Sequence, residues 1–356
     1  MRILIDIGHP AHIHYFKNCA AILQKKGYSF LFVVRERDST IELIKSMGFN
    51  YVSRGKGGTN ILSKLVLMPI IDWRIFKIAK KFKPDLFMSF ASPYAAHVAW
   101  LMNKPHIALD DTEHAVFEHI MYRPFTTVIL SPSCYNRKIC GKQILFNSYL
   151  DFAYLHPRYF QADASIRQVL HIEEREKICV MRFISWDANH DIGEKGLSYE
   201  DKIRLVNAIN RYCRVLVSSE QVLPKELLPY KLNIHPAMLH SVIAAASLYI
   251  GEGGTTATEA SVLGTPAIYV NSLCAGVFED LSKYGLLFQL LDIDMVIKKA
   301  ITILSDLNYD EYFKERSIIL KNEKIDTTAF FVWFIENYPE SKKIMKDNPD
   351  YQYNFK

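Results

Sequence analysis

The chain has 356 residues, more than one ordinary core organises, so two domains are expected. Its residues are 49% hydrophobic and 23% charged, the balance of a globular protein with a large core rather than a disordered one. The formal net charge of +5 is too mild to mark a nucleic-acid binder.

In chain order, residues 3–7 read as a buried apolar strand, 8–11 as a turn and 12–26 as a helix. Phe16, Cys19, Ala20 and Leu23 share that helix's apolar face, and Gly27 ends it. Residues 30–34 form the next strand, and Ser39-Thr40-Ile41-Glu42 is a capping-box pattern opening a helix that stops near Gly48. A helix over 72–82, a strand over 85–89, a helix over 95–102 and strands over 106–109 and 127–130 continue the alternation. A second series begins near Lys177. It has strands over 178–181, 215–217, 248–250 and 267–270, and helices over 199–212, 238–246 and 256–263. From about Tyr309 only helices are expected.

Strands alternating with helices imply parallel βαβ units with right-handed crossovers. The expected fold is therefore α/β, with two Rossmann-like doubly wound domains facing a cleft and helices at the C-terminus. The polar stretch 155–175 marks the join. This gives an N-terminal domain over 1–160 and a C-terminal domain over 161–356, the last helices being free to return to the first domain. In such sheets ligands bind outside the carboxyl ends of the strands.

The six cysteines, at 19, 134, 140, 179, 213 and 274, show neither zinc-finger nor Cys-x-x-Cys spacing. They read as buried reduced thiols of a cytoplasmic protein. The first apolar run is short and is cut by Asp6, unlike a secretory signal. The longest, 65–71, contains Pro69 and is far below a bilayer span. Residues 54–83 hold eight Lys or Arg, one acid (Asp72) and many interleaved apolar residues. That pattern fits a peripheral contact with an anionic membrane at its cytoplasmic face, or equally a core helix with a solvated basic face.

The loop carrying most chemistry is Gly251-Glu252-Gly253-Gly254-Thr255-Thr256-Ala257-Thr258-Glu259. A strand runs through a glycine turn straight into a helix whose free N–H groups and dipole suit a diphosphate. Gly253, Gly254, Thr255 and Thr256 would hold the phosphates, and Glu259, one turn on, the ribose hydroxyls. A tight turn with a capping threonine is the plainer alternative.

This stretch, continuing to Gly264-Thr265-Pro266-Ala267, resembles the C-domain signature of GT-B enzymes. Among these are the lipid-II-forming N-acetylglucosaminyltransferase and the UDP-N-acetylglucosamine 2-epimerases. The resemblance implies the same roles for Gly253, Gly254, Thr255, Thr256 and Glu259. The chain is also similar to a GT-B-like family found in bacteria and archaea. The motifs behind that likeness are Asp6-Ile7-Gly8-His9-Pro10-Ala11-His12, Ser92-Pro93-Tyr94-Ala95-Ala96-His97, Asp110-Asp111-Thr112-Glu113-His114, Arg182-Phe183 with Trp186, Ala188, His190 and Asp191, and Ser218-Ser219-Glu220.

His12, at the helix entrance after the first strand, suits a general base that deprotonates an acceptor hydroxyl. His9 would line the acceptor site, although local capping and packing would also explain both. A metal reading of His9, His12 and His14 is disfavoured because their spacing fixes no coordination geometry. Asp111 and Glu113 follow another strand end and offer acid–base groups, or simply cap the next helix. Arg182 could grip the diphosphate in bidentate fashion or pair with an acid. Ser218, Ser219 and Glu220 at a strand end, and His235 before the glycine turn, complete the expected nucleotide-sugar site.

The sequence thus predicts a metal-independent glycosyltransferase, using no cofactor beyond a nucleotide-diphosphate sugar, with UDP the expected nucleotide. The acceptor would be a glycan or a lipid-linked molecule in surface-polysaccharide or glycolipid assembly. An epimerase or hydrolase on the same fold, or a non-catalytic nucleotide-sugar-binding protein, are the alternatives, since one fold hosts many chemistries.

Overall fold

In the computed structural model, which describes residues 1–58, 61–139, 141–184, 197–219, 222–306 and 308–356, the chain divides into two units. Unit 1 comprises Met1–His156 and Lys324–Lys356, and unit 2 comprises Pro157–Glu323.

Unit 1 begins β1 (Arg2–Ile7), α1 (Pro10–Lys25), β2 (Ser29–Val34), α2 (Asp38–Ser46), β3 (Tyr51–Ser53) and α3 (Ile61–Phe82). It continues β4 (Leu86–Phe90), α4 (Pro93–Leu101), β5 (His106–Leu109), α5 (Val116–Tyr122), β6 (Val128–Pro132), β7 (Gln143–Phe146) and α6 (Phe152–Leu155). Among the described residues its sheet has the order β3-β2-β1-β4-β5-β6-β7, parallel throughout. Ile3, Leu4 and Ile5 of β1 are buried to within 1%, as a strand covered on both faces requires. The strand order reverses between β1 and β4, so the loops leaving those two strands diverge and open a crevice.

Unit 2 begins with α7 (Ile166–Val169), β8 (Ile178–Phe183), α8 (Tyr199–Ile209), β9 (Arg214–Ser219), α9 (Leu239–Ala244), β10 (Leu248–Gly251) and α10 (Gly254–Leu263). It closes with β11 (Ala267–Tyr269), α11 (Gly276–Lys283), β12 (Leu287–Gln289), α12 (Ile293–Ser305) and α13 (Asn308–Glu323). Its parallel sheet has the order β12-β11-β10-β8-β9 among the described residues. The reversal here lies between β10 and β8.

The chain then returns to unit 1 as α14 (Thr327–Glu336) and α15 (Glu340–Asp347). Thr327 and Thr328 donate to the carbonyls of Tyr149 (2.9 Å) and Ala153 (2.7 Å). Phe330 and Phe331 pack on Phe146 of β7. This aromatic, hydrogen-bonded seam explains why the last 33 residues, Lys324–Lys356, belong with the first unit rather than the second.

Three expectations change. Ser39 does not cap a helix: α2 starts one residue earlier, after Arg37, with no side-chain cap. α3 starts at Ile61 rather than 72 and runs through Pro69, whose ring lies on the exposed face. The short strands β3, β7 and β12 were not expected. Cys19, Cys179 and Cys213 are buried free thiols, but Cys274 is exposed, and Cys140 lies outside the described residues. No described helix is long and apolar enough to cross a membrane.

Candidate functional site

Each unit carries expected site residues at its strand-order reversal. In unit 1, β1 ends at Ile7 and Gly8, and α1 begins at Pro10. Pro10 suits a first helical position, where its missing N–H costs nothing. His9 is the N-cap, its Nδ1 accepting from the Ala11 N–H at 3.3 Å, so the structure gives this exposed histidine a local capping role. His12 is partly buried, with its ring 4.4 Å from that of Phe90 at the end of β4. Its Nδ1 is enclosed and makes no hydrogen bond. Burial first, then the nearby His9 and Arg54, hold the His12 pKa well below the usual histidine value. The imidazole is therefore neutral at physiological pH, the form a base needs. His14 instead stacks on Tyr154. Among the described residues no three His, Cys, Asp or Glu side chains converge as a metal site.

The acidic motif after β5 divides its labour. Asp110 is fully buried and is the hub of a polar network. Its carboxylate accepts from Tyr122 Oη and from the Thr112 N–H (3.1 Å), with His119 Nε2 3.1 Å away. Glu113 is 7% exposed and accepts from the Asn136 N–H at 3.1 Å. These bonds hold the segment between β5 and α5. None of these acids caps α5, which starts after Ala115 with no side-chain cap. Asp111 differs from its neighbours. It is partly buried and accepts from Thr112 Oγ1. Burial, reinforced by the charge of Asp110, pushes its pKa up to about 7. A carboxyl raised this far is able to exchange a proton near neutrality.

In unit 2 three strand ends line up. Arg182 of β8 is in register with Ser218 of β9 on one side and Gly251 of β10 on the other. Arg182 Nη1 donates to Ser218 Oγ at 3.0 Å. Ser219 follows at the end of β9, while Glu220, and the motif residues His190 and Asp191, lie outside the described residues. α10 starts after Gly253 with no side-chain cap, leaving its first N–H groups for a ligand or solvent. Thr255 is exposed there and Thr256 is 7% exposed.

The glycines answer first to the protein's own packing. A Cβ on Gly254 would lie 2.5 Å from the Phe278 ring, and one on Gly251 would lie 2.3 Å from Tyr249 Oη. A Cβ on Gly253 would meet Ile184 at 3.1 Å. Glu259 is 7% exposed on α10, and its Oε1 takes a hydrogen bond from His240 Nε2 at 2.9 Å.

Two unit 2 residues escaped the sequence reading. His240, on α9, holds Glu259, whereas the expected His235 is exposed and caps a short 3-10 turn at Pro236–Met238. Only the packing of α9 beside α10 singles out His240. Glu252, within the glycine turn itself, is fully buried. It accepts from the N–H groups of Ile184 (3.1 Å) and Leu197 (2.7 Å), with Lys202 Nζ 3.6 Å away. A carboxylate flanked by three glycines was the available signal, and its burial is what a sequence does not display.

Comparison with known proteins places this architecture. The chain is similar to the UDP-GlcNAc 2-epimerase from Neisseria meningitidis bound to UDP-GlcNAc, with a TM-score of 0.68 at 10% identity, covering 94% of this chain and 100% of that one. It is similar also to the Streptomyces sp. SF2575 glycosyltransferase SsfS6 complexed with thymidine diphosphate, with a TM-score of 0.62 at 14% identity, covering 94% and 99%. At such identities the likeness is one of fold, and the fold is GT-B. In sequence, an uncharacterized protein of Methanocaldococcus jannaschii is 24% identical over 279 residues, 75% of this chain and 80% of that protein. The family model described as a protein of unknown function, DUF354, matches residues 1–328, and the chain belongs to that family.

Proposed function

We propose that the protein is a glycosyltransferase that moves a sugar from a nucleotide-diphosphate sugar to a glycan or lipid-linked acceptor, in surface-polysaccharide or glycolipid synthesis. One observation carries the reading. At the β8/β10 reversal an uncapped helix start, an arginine at a strand end and a buried glutamate one turn into the helix occur together. In this reading α10 and Arg182 take the diphosphate, with Ser218 and Ser219 beside it, and Glu259 takes the ribose.

The reaction needs little more. An acceptor hydroxyl loses its proton to His12 and its oxygen bonds to the anomeric carbon. The bond from that carbon to the diphosphate breaks, and the nucleoside diphosphate leaves with the electron pair. Fixed N–H dipoles at α10 and the guanidinium stabilise the leaving charge as it develops. The test is calorimetric titration of UDP, GDP, CMP and TDP into the full chain. Selective binding of one diphosphate, UDP foremost, is expected. A folded chain that binds none of them ends this reading.

A second reading, a nucleotide-sugar epimerase, is favoured by Asp111, whose pKa of about 7 suits alternating proton removal and return. Incubation with donor alone in deuterated water separates the two. Deuterium entering the sugar would identify an epimerase, and no reaction until an acceptor is added would identify a transferase.

The acceptor reading extends to a membrane surface at the cytoplasmic face. α3 exposes Leu62 (73%), Val66 (65%), Ile70 (46%) and Trp73 (57%) at helical spacing. Lys77, Lys80 and Lys81 follow on the exposed side, Lys77 lying 3.5 Å over the Trp73 ring. Such a face suits an anionic interface. Changing the three lysines to glutamine is expected to weaken binding to phosphatidylglycerol vesicles by roughly 1 kcal/mol per charge. Unchanged sedimentation with vesicles would leave α3 a solvated helix.

A further inference from the structure

The β1/β4 reversal of unit 1 contains a cavity of about 140 Å³. Gly8, Arg35, Arg54, Gly57, Lys64 and Ser92 are among its lining residues. Arg54 is 3% exposed. Its Nε lies 2.8 Å from Asp6 Oδ1 in an ion-pair contact, yet its Nη1 is enclosed and makes no hydrogen bond. A buried guanidinium N–H without an acceptor is costly unless a ligand supplies one. The surrounding charges are largely spoken for. Lys64 pairs with Glu118 at 3.0 Å, and Asp6 takes both Arg54 and the Ser92 hydroxyl. Arg35 donates from Nη2 to the carbonyls of Gly57 and Gly58 and has no ion-pair partner among the described residues.

The cavity's walls are constrained. A Cβ on Gly57 would lie 2.6 Å from Arg35 Nε, and one on Gly58 would lie 2.5 Å from the Lys64 backbone nitrogen. Ala91 is held at φ 42°, a conformation few non-glycine residues adopt. It leads into Ser92, the N-cap of α4. Gly8, by contrast, leaves room: a Cβ there would have nothing nearer than His12 Cε1 at 3.7 Å and Arg54 Nη2 at 3.9 Å.

We infer that this cavity is an anion subsite for the acceptor, in which Arg35 and Arg54 hold a phosphate group of the acceptor beside His12. Two guanidinium forks match a phosphate's several oxygens. The inference rests on the transferase reading for the identity of the ligand as acceptor. It does not rest on the donor site for the binding itself. α3 sends Lys64 and Met68 to the cavity and its apolar stripe outward, so the phosphate could belong to a lipid-linked or to a soluble acceptor.

The test is titration of inorganic pyrophosphate into the full chain, with and without saturating UDP, for the unaltered protein and for Arg35→Gln. Arg54→Gln breaks a buried ion pair and risks misfolding. Arg35 is partly exposed, and its loss leaves the Asp6–Arg54 pair intact. Pyrophosphate is expected to bind whether or not UDP is present, to bind about tenfold or more weakly to Arg35→Gln, and UDP affinity is expected not to change. Absence of pyrophosphate binding, its complete displacement by UDP, or equal affinity in Arg35→Gln would each overturn the inference. If UDP itself fails to bind while Arg35-dependent pyrophosphate binding persists, the donor reading falls and the anion site stands. Farnesyl phosphate in detergent then distinguishes the source. Binding at least tenfold tighter than pyrophosphate, still lost in Arg35→Gln, supports a lipid-linked acceptor, and equal binding supports a soluble one.

Discussion

At the β1/β4 reversal of unit 1 the loops bring side-chain charge: Arg35, Arg54 and Lys64 around a cavity, with His12 beside Gly8. At the β8/β10 reversal of unit 2 they bring mainly backbone: a glycine turn, the open start of α10 and one arginine in register with both neighbours. The difference lies in how each places polar groups at a strand end. Unit 1 buries Asp6 and pairs it with Arg54, so its positive charge is held by a side-chain network in which Arg54 Nη1 makes no hydrogen bond. Unit 2 buries Glu252 too, but spends it on the N–H groups of Ile184 and Leu197. There the buried acid shapes the loop, and the start of α10 has no side-chain cap. One fold has produced two chemically distinct arrangements of polar groups at equivalent places.

Removing the proposed base is expected to have the largest effect. His12→Ala should lower the transfer rate by about 10²–10⁴-fold, the usual contribution of a general base. UDP affinity should stay unchanged, because His12 belongs to unit 1 and the proposed nucleotide site to unit 2. A variant with full turnover would mean that unit 1 is a binding module only.

Next comes the nucleotide side of the comparison. Glu259→Ala removes the carboxylate and should weaken UDP binding by roughly 10–100-fold, the worth of hydrogen bonds to a charged group. Pyrophosphate binding in unit 1 should not move. Because His240 loses one hydrogen-bond partner, far-UV circular dichroism must first show the fold intact. Equal UDP affinity in a folded variant would take Glu259 out of the site.

The two turns can also be set against each other by stability alone. Gly254→Ala places a Cβ 2.5 Å from Phe278 and should cost about 1–3 kcal/mol. Gly8→Ala meets only ordinary contacts at 3.7 and 3.9 Å and should stay within about 0.5 kcal/mol of the unaltered protein. Denaturant melts read both. Equal losses would mean that the β1 turn is as tightly packed as the β10 turn, and the cavity would then not be open as described.

The alternation of apolar strands with amphipathic helices made both sheets legible in the sequence, and the reversal loops followed from that alternation. Arg182, Ser218 and the glycine turn were legible because each directly ends a strand or opens a helix. His240 and the Asp6–Arg54 pair were not. His240 reaches Glu259 only because α9 packs on α10, and Asp6 and Arg54 are 48 positions apart in the chain, joined through the parallel register of β1, β2 and β3. Long-range pairing of charges leaves no local periodicity to read. The sequence left the last helices free to return to the first domain, but not where they dock, since the partners of α14, Tyr149 and Ala153, lie more than 170 residues upstream.

The smallest effect concerns Asp111, and its sign is fixed by which state holds the proton. Burial and Asp110 raise its pKa from 3.8 to about 7 in the folded chain, so between those values the native state binds more protons than the unfolded one. Stability then falls as pH rises through that window, and the penalty is complete above about pH 7. Asp111→Asn cannot ionise and escapes it. The variant should therefore gain on the unaltered protein as pH rises from 5 to 8, by about 2–4 °C in the melting temperature of the unit that carries it, allowing for partial exposure. A gap that is flat with pH would show that Asp111 is already ionised at pH 5, and would remove its claim to proton transfer in either the transferase or the epimerase reading. A gap that opens as described, together with a rate inflection near pH 7 that disappears in Asp111→Asn, would place an acid–base group one strand over from the β1/β4 cavity, on the unit that already carries His12.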